Sequence, residues 1–174
     1  MYLAERAPGE SAAVNDCYEY RDAVRVLLFK QVKKMAAKKY HPSNKEELEE
    51  LVINPEICLG DIDTSLITDM SGLFEDCGRE DFSGIELWNT SQVTNMSSMF
   101  FGAEFFNAPI GCWDVSGVKN MDAMFAEAPA FNQPLNMWNT SRVTSMRCMF
   151  NLAENFNQPL DNWNTAQVTD MSPV

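Results

Sequence analysis

Large apolar residues recur along this chain on a fixed spacing. Counting from Trp88, inward-facing character falls on the first, fourth, sixth and ninth positions (Trp88, Ser91, Val93, Met96), and the same sets begin again at Trp113 and Trp138. Alternation of this kind predicts a short strand over residues 90–94 in each copy. The triplet Met96, Met99, Phe100 follows, with Met121, Met124, Phe125 and Met146, Met149, Phe150 after it. Its i, i+3, i+4 spacing predicts one face of a short helical turn. An alanine then recurs (Ala103, Ala128, Ala153), and F-N-x-P-[IL] turns the chain, with Pro109, Pro134 and Pro159 fixing φ.

The three intervals between Trp88, Trp113, Trp138 and Trp163 are all twenty-five residues, so the pattern is an internal repeat. A degenerate earlier copy starts at Ile62, carries Leu73 for the second Met and runs one residue longer, as a terminal repeat does against a cap. Four copies and the start of a fifth occupy residues 61–174. The period lies in the range of leucine-rich-repeat solenoids, in which each copy supplies a strand and a return segment. The expected fold is therefore an α/β repeat: a leucine-rich-repeat-like solenoid of about 25-residue coils with a parallel strand ladder, capped by a helical segment over residues 1–60. Stacked copies predict interior columns of Trp, Met and Phe, which explains a chain holding 11 Met and 11 Phe.

Ahead of the repeats, residues 15–40 read as a helix with Tyr20, Val24, Leu27, Leu28 and Met35 near one face. Lys33, Lys34, Lys38 and Lys39 lie at its C-terminal end, before Pro42. A second helix is expected over residues 44–53, capped by Ser43 or Asn44 with Glu46 and Glu47 in its first turn. Two roles stay open for this segment: a shield over the first coil, or a basic amphipathic element that meets a partner or an anionic membrane surface.

The strings WNTS, VTNMSSMF, FNQPL and LGDIDTSLITDMSGLF resemble the BspA-like leucine-rich-repeat family of bacterial proteins, a repeat also abundant in mycoplasma surface proteins. The resemblance covers residues 45–174. It implies a solenoid used for adhesion or protein recognition, and it implies no catalytic residues.

Charge changes the picture of what binds. Residues 1–60 carry nine Lys/Arg against ten Asp/Glu, whereas residues 61–174 carry four against fifteen. The repeats should repel nucleic acid directly, since its binders need basic surface to displace counterions. A protein partner with basic charge is the expected kind. Two candidate surfaces follow: the outward strand positions Thr90, Gln92, Thr94, Lys119, Thr140, Arg142, Thr144 and Gln167, and the acidic rim of the first coil at Glu75, Asp76, Glu80 and Asp81, with Glu86 beside it.

The leading expectation is a non-enzymatic recognition module, with an acidic inhibitor or decoy that occupies the basic site of a nucleic-acid-binding enzyme as the alternative. A single histidine, His41, and five cysteines without a C-x-x-C pair give no metal-ligand spacing, no nucleophile with its base, and no cofactor motif. The longest apolar run, residues 26–29, is too short to span a bilayer. The N-terminus lacks the apolar region of a signal peptide, so a cytoplasmic location is expected, although the family resemblance allows the cell surface if a longer precursor exists. The last copy stops where M-x-x-M-F should continue, which leaves that coil open to end-to-end pairing with another copy.

Overall fold

The computed structural model describes residues 38–171. The helix expected over residues 15–40 lies mostly outside them; its last three residues, 38–40, are not helical. The second helix is present as α1, Lys45–Val52, and its N-cap is Asn44, whose side chain accepts from the Glu47 N–H. Glu47 reaches back to the N–H of Ser43 at 2.7 Å, which closes a capping box one residue early. Leu48 and Val52, four residues apart on one face, are buried in the same core as the coils.

Arg79 ties the other end of α1 to the first coil. Its guanidinium donates to the carbonyls of Val52, Asn54 and Ile57 as well as to that of Asp81. Three of these are carbonyls at or just past a helix C-terminus, which have no intrahelical partner.

The repeats form successive coils, but the expected parallel strand ladder is absent among the described residues. Neighbouring coils meet in single-residue parallel bridges, Asp69↔Asn95, Asn95↔Asn120, Asn120↔Ser145 and Ser145↔Asp170. The described residues are therefore not an α/β solenoid with a sheet: they form one α-helix and coils made almost wholly of turns, with 3-10 turns at Leu59–Asp61 and Ile85–Leu87. Residues 91–92 are a turn and not part of a strand, with the Val93 N–H donating to Thr90 O at 2.9 Å.

Asparagine and aspartate side chains explain why. Asn89 Oδ1 accepts from the Ser91 N–H, Asp114 from Ser116, Asn139 from Ser141 and Asn164 from Ala166, each two residues on. A second set starts at the bridge residues, where Asp69, Asn95 and Asn120 accept from Ser71, Ser97 and Asp122. Such Asx-turns offer the backbone an alternative to a strand, and two per coil leave only a few extended residues between them.

The M-x-x-M-F stretch also departs from its expectation. It is a run of turns with a left-handed residue at every fourth position, Ser98 (φ 54°) and Gly102 (φ 64°), Ala123 and Glu127, Cys148 and Leu152. Every second N–H points to the next coil: Met96 to Asn120 O, Ser98 to Asp122 O, Phe100 to Met124 O and Gly102 to Ala126 O. The intervening N–H groups close turns within the coil, such as Met99 to Met96 O and Phe101 to Ser98 O. A helix would spend all of these donors locally; alternation shares them between neighbours and satisfies the backbone without a sheet.

The expected aromatic columns are present. Phe74, Phe100, Phe125 and Phe150 stack at centroid distances of 5.5, 5.7 and 5.6 Å, and Phe106, Phe131 and Phe156 at 5.4 and 5.8 Å. Trp88 and Trp113 lie parallel 6.5 Å apart, as do Trp138 and Trp163 at 6.2 Å. Each indole N–H donates to a main-chain carbonyl one coil back, Trp88 to Leu59, Trp113 to Ile85, Trp138 to Ile110 and Trp163 to Leu135. Met96, Met99, Met121 and Met124 are fully buried among them.

Candidate functional site

The expected inward position four of each coil is instead exposed or half-buried, and the core residue is its neighbour. Ser91 faces solvent, whereas Thr90 and Thr140 are 2 % and 1 % exposed. Their hydroxyls donate to carbonyls of the following coil, Thr90 to Asp114 O at 3.0 Å and Thr140 to Asn164 O at 3.1 Å. Thr64 does the same to Asn89 O, and Val115 fills the equivalent place in the third coil. Thr90 and Thr140 thus leave the set of candidate contact residues, because a turn at residues 91–92 reverses the alternation that a strand would have kept.

The other predicted face residues are displayed. Gln92, Arg142 and Gln167 are exposed in one column with the half-buried Gly117, and Leu66 heads that column at 66 % exposure. Thr94, Lys119, Thr144 and Thr169 form a second exposed column beside it. Backbone bonds hold the second column in register, Thr94 N–H to Thr68 O, Lys119 to Thr94, Thr144 to Lys119 and Thr169 to Thr144. The Thr94 and Thr144 hydroxyls add bonds to the same carbonyls, so side chain and backbone are tied at the same points. Between the columns Val93, Val118 and Val143 are fully buried, which anchors the face to the core.

The acidic rim divides. Glu80, Asp81 and Glu86 converge on a groove of about 370 Å³ with Phe82, Ser83, Phe105, Asn107, Ala108 and Pro109. Glu75 and Asp76 are exposed but do not line it, and the Asp76 carboxylate packs over the backbone of Gly102. The Ser83 hydroxyl and N–H hold the Asp81 carboxyl below the usual carboxylate range, with a smaller contribution from Arg79. Glu86 accepts from the Gly84 N–H at 2.9 Å and also faces Lys38, whose ammonium donates to Gly60 O.

Phe105 was not singled out by the repeat pattern. It is 45 % exposed and stands where later copies have Ala130 and Asn155, so comparing the copies at that one position is the signal that finds it.

Among the described residues, no three His, Cys, Asp or Glu side chains come together as a metal site. No helix among them is long and apolar enough to cross a membrane. Burial raises the half-buried Cys77 thiol above its ordinary value, which disfavours the reactive thiolate.

No curated protein and no solved structure matches the chain. A family model does, over residues 52–128 and again over 68–174, which together take in all the repeats described above. The family is related to, but not the same as, the BspA-like leucine-rich repeat that the motifs resemble, and it agrees with their likeness to mycoplasma repeats. The chain belongs to the repeat family described as "Mycoplasma protein of unknown function, DUF285".

Proposed function

We propose that the chain is a non-enzymatic protein-recognition module whose contact surface is the exposed double column running from Gln92 and Thr94 to Gln167 and Thr169. The observation that carries this reading is the contrast between neighbouring positions. Val93, Val118 and Val143 are buried and nearly invariant from copy to copy, while the exposed position just before them changes from Gln92 to Gly117 to Arg142 to Gln167. A fixed core that displays a changing, backbone-locked surface is the arrangement repeat proteins use for recognition. Arg142 and Lys119 are the cations of this face, and Arg is enriched at binding hot spots. The role of the BspA-like proteins, which the motifs resemble, supports the same reading.

The test is site-specific photo-cross-linking in lysate of the source cell. Cross-linkers at Gln92 and Gln167 should capture one discrete protein species, and Arg142→Glu should abolish it. Adducts that are identical from Glu154, elsewhere on the coil surface, would argue for non-specific association.

A further inference from the structure

The loops that follow the second aromatic column are tied into a ladder. The Asn132 N–H donates to Asn107 Oδ1 at 3.0 Å and the Asn157 N–H to Asn132 Oδ1 at 3.0 Å. Gln133 and Gln158 add side-chain bonds to the same asparagines, Gln133 to Asn107 and Gln158 to Asn132. Each rung is thus an N–H that takes an amide oxygen from the coil before it.

The first coil breaks this ladder. It reads Phe82-Ser83-Gly84-Ile85 where the second reads Phe106-Asn107-Ala108-Pro109-Ile110, so this loop, though not the whole coil, is one residue shorter and offers Ser83 in place of an asparagine. Among the described residues the Asn107 N–H has no acceptor from coil one, and Asn107 and Ser83 both line the groove beside Phe105. The groove therefore lies where the next rung would be.

Its chemistry is specific in charge as well as in shape. Glu80 and Asp81 form no ion pair among the described residues, and the Arg79 guanidinium beside them is committed to four carbonyls. Phe82 gives an apolar floor and the half-exposed Phe105 a wall. An acceptor for one N–H, cations for two carboxylates and an apolar group for an aromatic wall are what a basic stretch of extended polypeptide supplies.

We propose that this groove docks an extended, basic segment of a partner protein that carries an apolar side chain. One of its main-chain carbonyls accepts from the Asn107 N–H, in the place taken by an asparagine oxygen in later coils. A Lys or Arg reaches Glu80 and Asp81, and an apolar side chain lies against Phe105. This deepens the recognition reading and rests on it.

The test is fluorescence anisotropy with a fluorescein-labelled peptide of lysine and arginine around a central leucine, and with its glutamate counterpart, on the full chain. Saturable binding of the basic peptide alone is expected. Glu80→Lys and Phe105→Ala should each weaken it about tenfold or more, while Glu154→Lys, the same charge change elsewhere, should change it less than about twofold. Absence of saturable binding, equal weakening by Glu154→Lys, or an unaffected Phe105→Ala would each overturn the proposal; the last two would reduce it to diffuse charge attraction. Far-ultraviolet circular dichroism confirms that each variant is folded. Since none of these variants touches Gln92 or Arg142, cross-linking there reports separately whether the chain recognises a protein at all.

Discussion

The Thr90 hydroxyl donates to the main-chain oxygen of Asp114, one coil further on, at 3.0 Å, and Thr90 is 2 % exposed while it does so. A residue that a strand would have placed on the binding face is thereby a fastener between coils. Thr90→Val keeps the shape, as Val115 shows at the same position, but removes the donor. The expected loss is about 1 kcal/mol of unfolding free energy, measured by urea denaturation, with no change in cross-linking from Gln92. Lost cross-linking in a variant of unchanged stability would restore Thr90 to the contact surface.

Asp114 holds the turn that asparagine holds in the other Trp-containing coils. The hydroxyl and N–H of Ser116 keep its carboxyl below the usual carboxylate range. Because the folded pKa lies below the unfolded one, near 4, this stabilisation is complete above about pH 4 and is lost as pH falls through the folded pKa. Asp114→Asn should leave stability at pH 7 unchanged, since Asn89 and Asn139 make the same bond, and should lessen acid sensitivity. Asp114→Ala should cost about 1 kcal/mol at pH 7. Equal effects of the two substitutions in urea melts would remove the Asx-turn from the account.

Gly84 packs its backbone against Gly60, in the turn that leads into the first coil. Its φ is 93°, and a Cβ there would lie 2.6 Å from Gly60 Cα and closer still to the Gly60 amide nitrogen. Both partners are main chain and cannot turn aside. Gly84→Ala should therefore cost about 3 kcal/mol or more, whereas Gly78→Ala, with nothing within 4 Å of the added carbon, should stay within about 0.5 kcal/mol. Similar melting temperatures for the two variants would contradict the close packing of Gly84 on Gly60.

Much of this architecture was legible in the sequence, and the parts that were not have a common cause. The period, the Trp and Phe columns, the buried methionines and the helix capped by Asn44 follow from the spacing of large apolar residues. The strand did not follow, because Asn89 and Asn95 compete for the backbone on either side of the few extended residues, and a spacing rule for apolar positions does not weigh that competition. The helical turn failed for a related reason. Met96, Met99 and Phe100 share a face in either geometry, but Ser98, Ala123 and Cys148 adopt positive φ, which their side chains do not advertise. At the acidic rim, charge alone grouped Glu75 with Glu80, and only the shortened loop at Ser83 shows which carboxylates face one groove.

The tryptophan column gives a graded test of stacking. Trp113 is 4 % exposed, stacks on Trp88 and donates to Ile85 O at 3.1 Å; Trp163 makes the equivalent bond to Leu135 O but is half-buried. Trp113→Phe removes the indole donor from the Ile85 carbonyl, which keeps its bond from the Trp88 N–H, at a cost of about 1 kcal/mol. Trp163→Phe should cost less than half as much. The reverse order in denaturant melts would mean that the coils do not share one continuous core.

The recognition reading stands or falls on the exposed columns. Photo-cross-linkers introduced singly at Gln92, Gln167 and Glu154 in the full chain test it most directly, with Arg142→Glu as the control. The account predicts one protein adduct, formed from Gln92 and Gln167, absent from Glu154 and lost in Arg142→Glu. Adducts that form equally from all three positions, or that persist in Arg142→Glu, would contradict it.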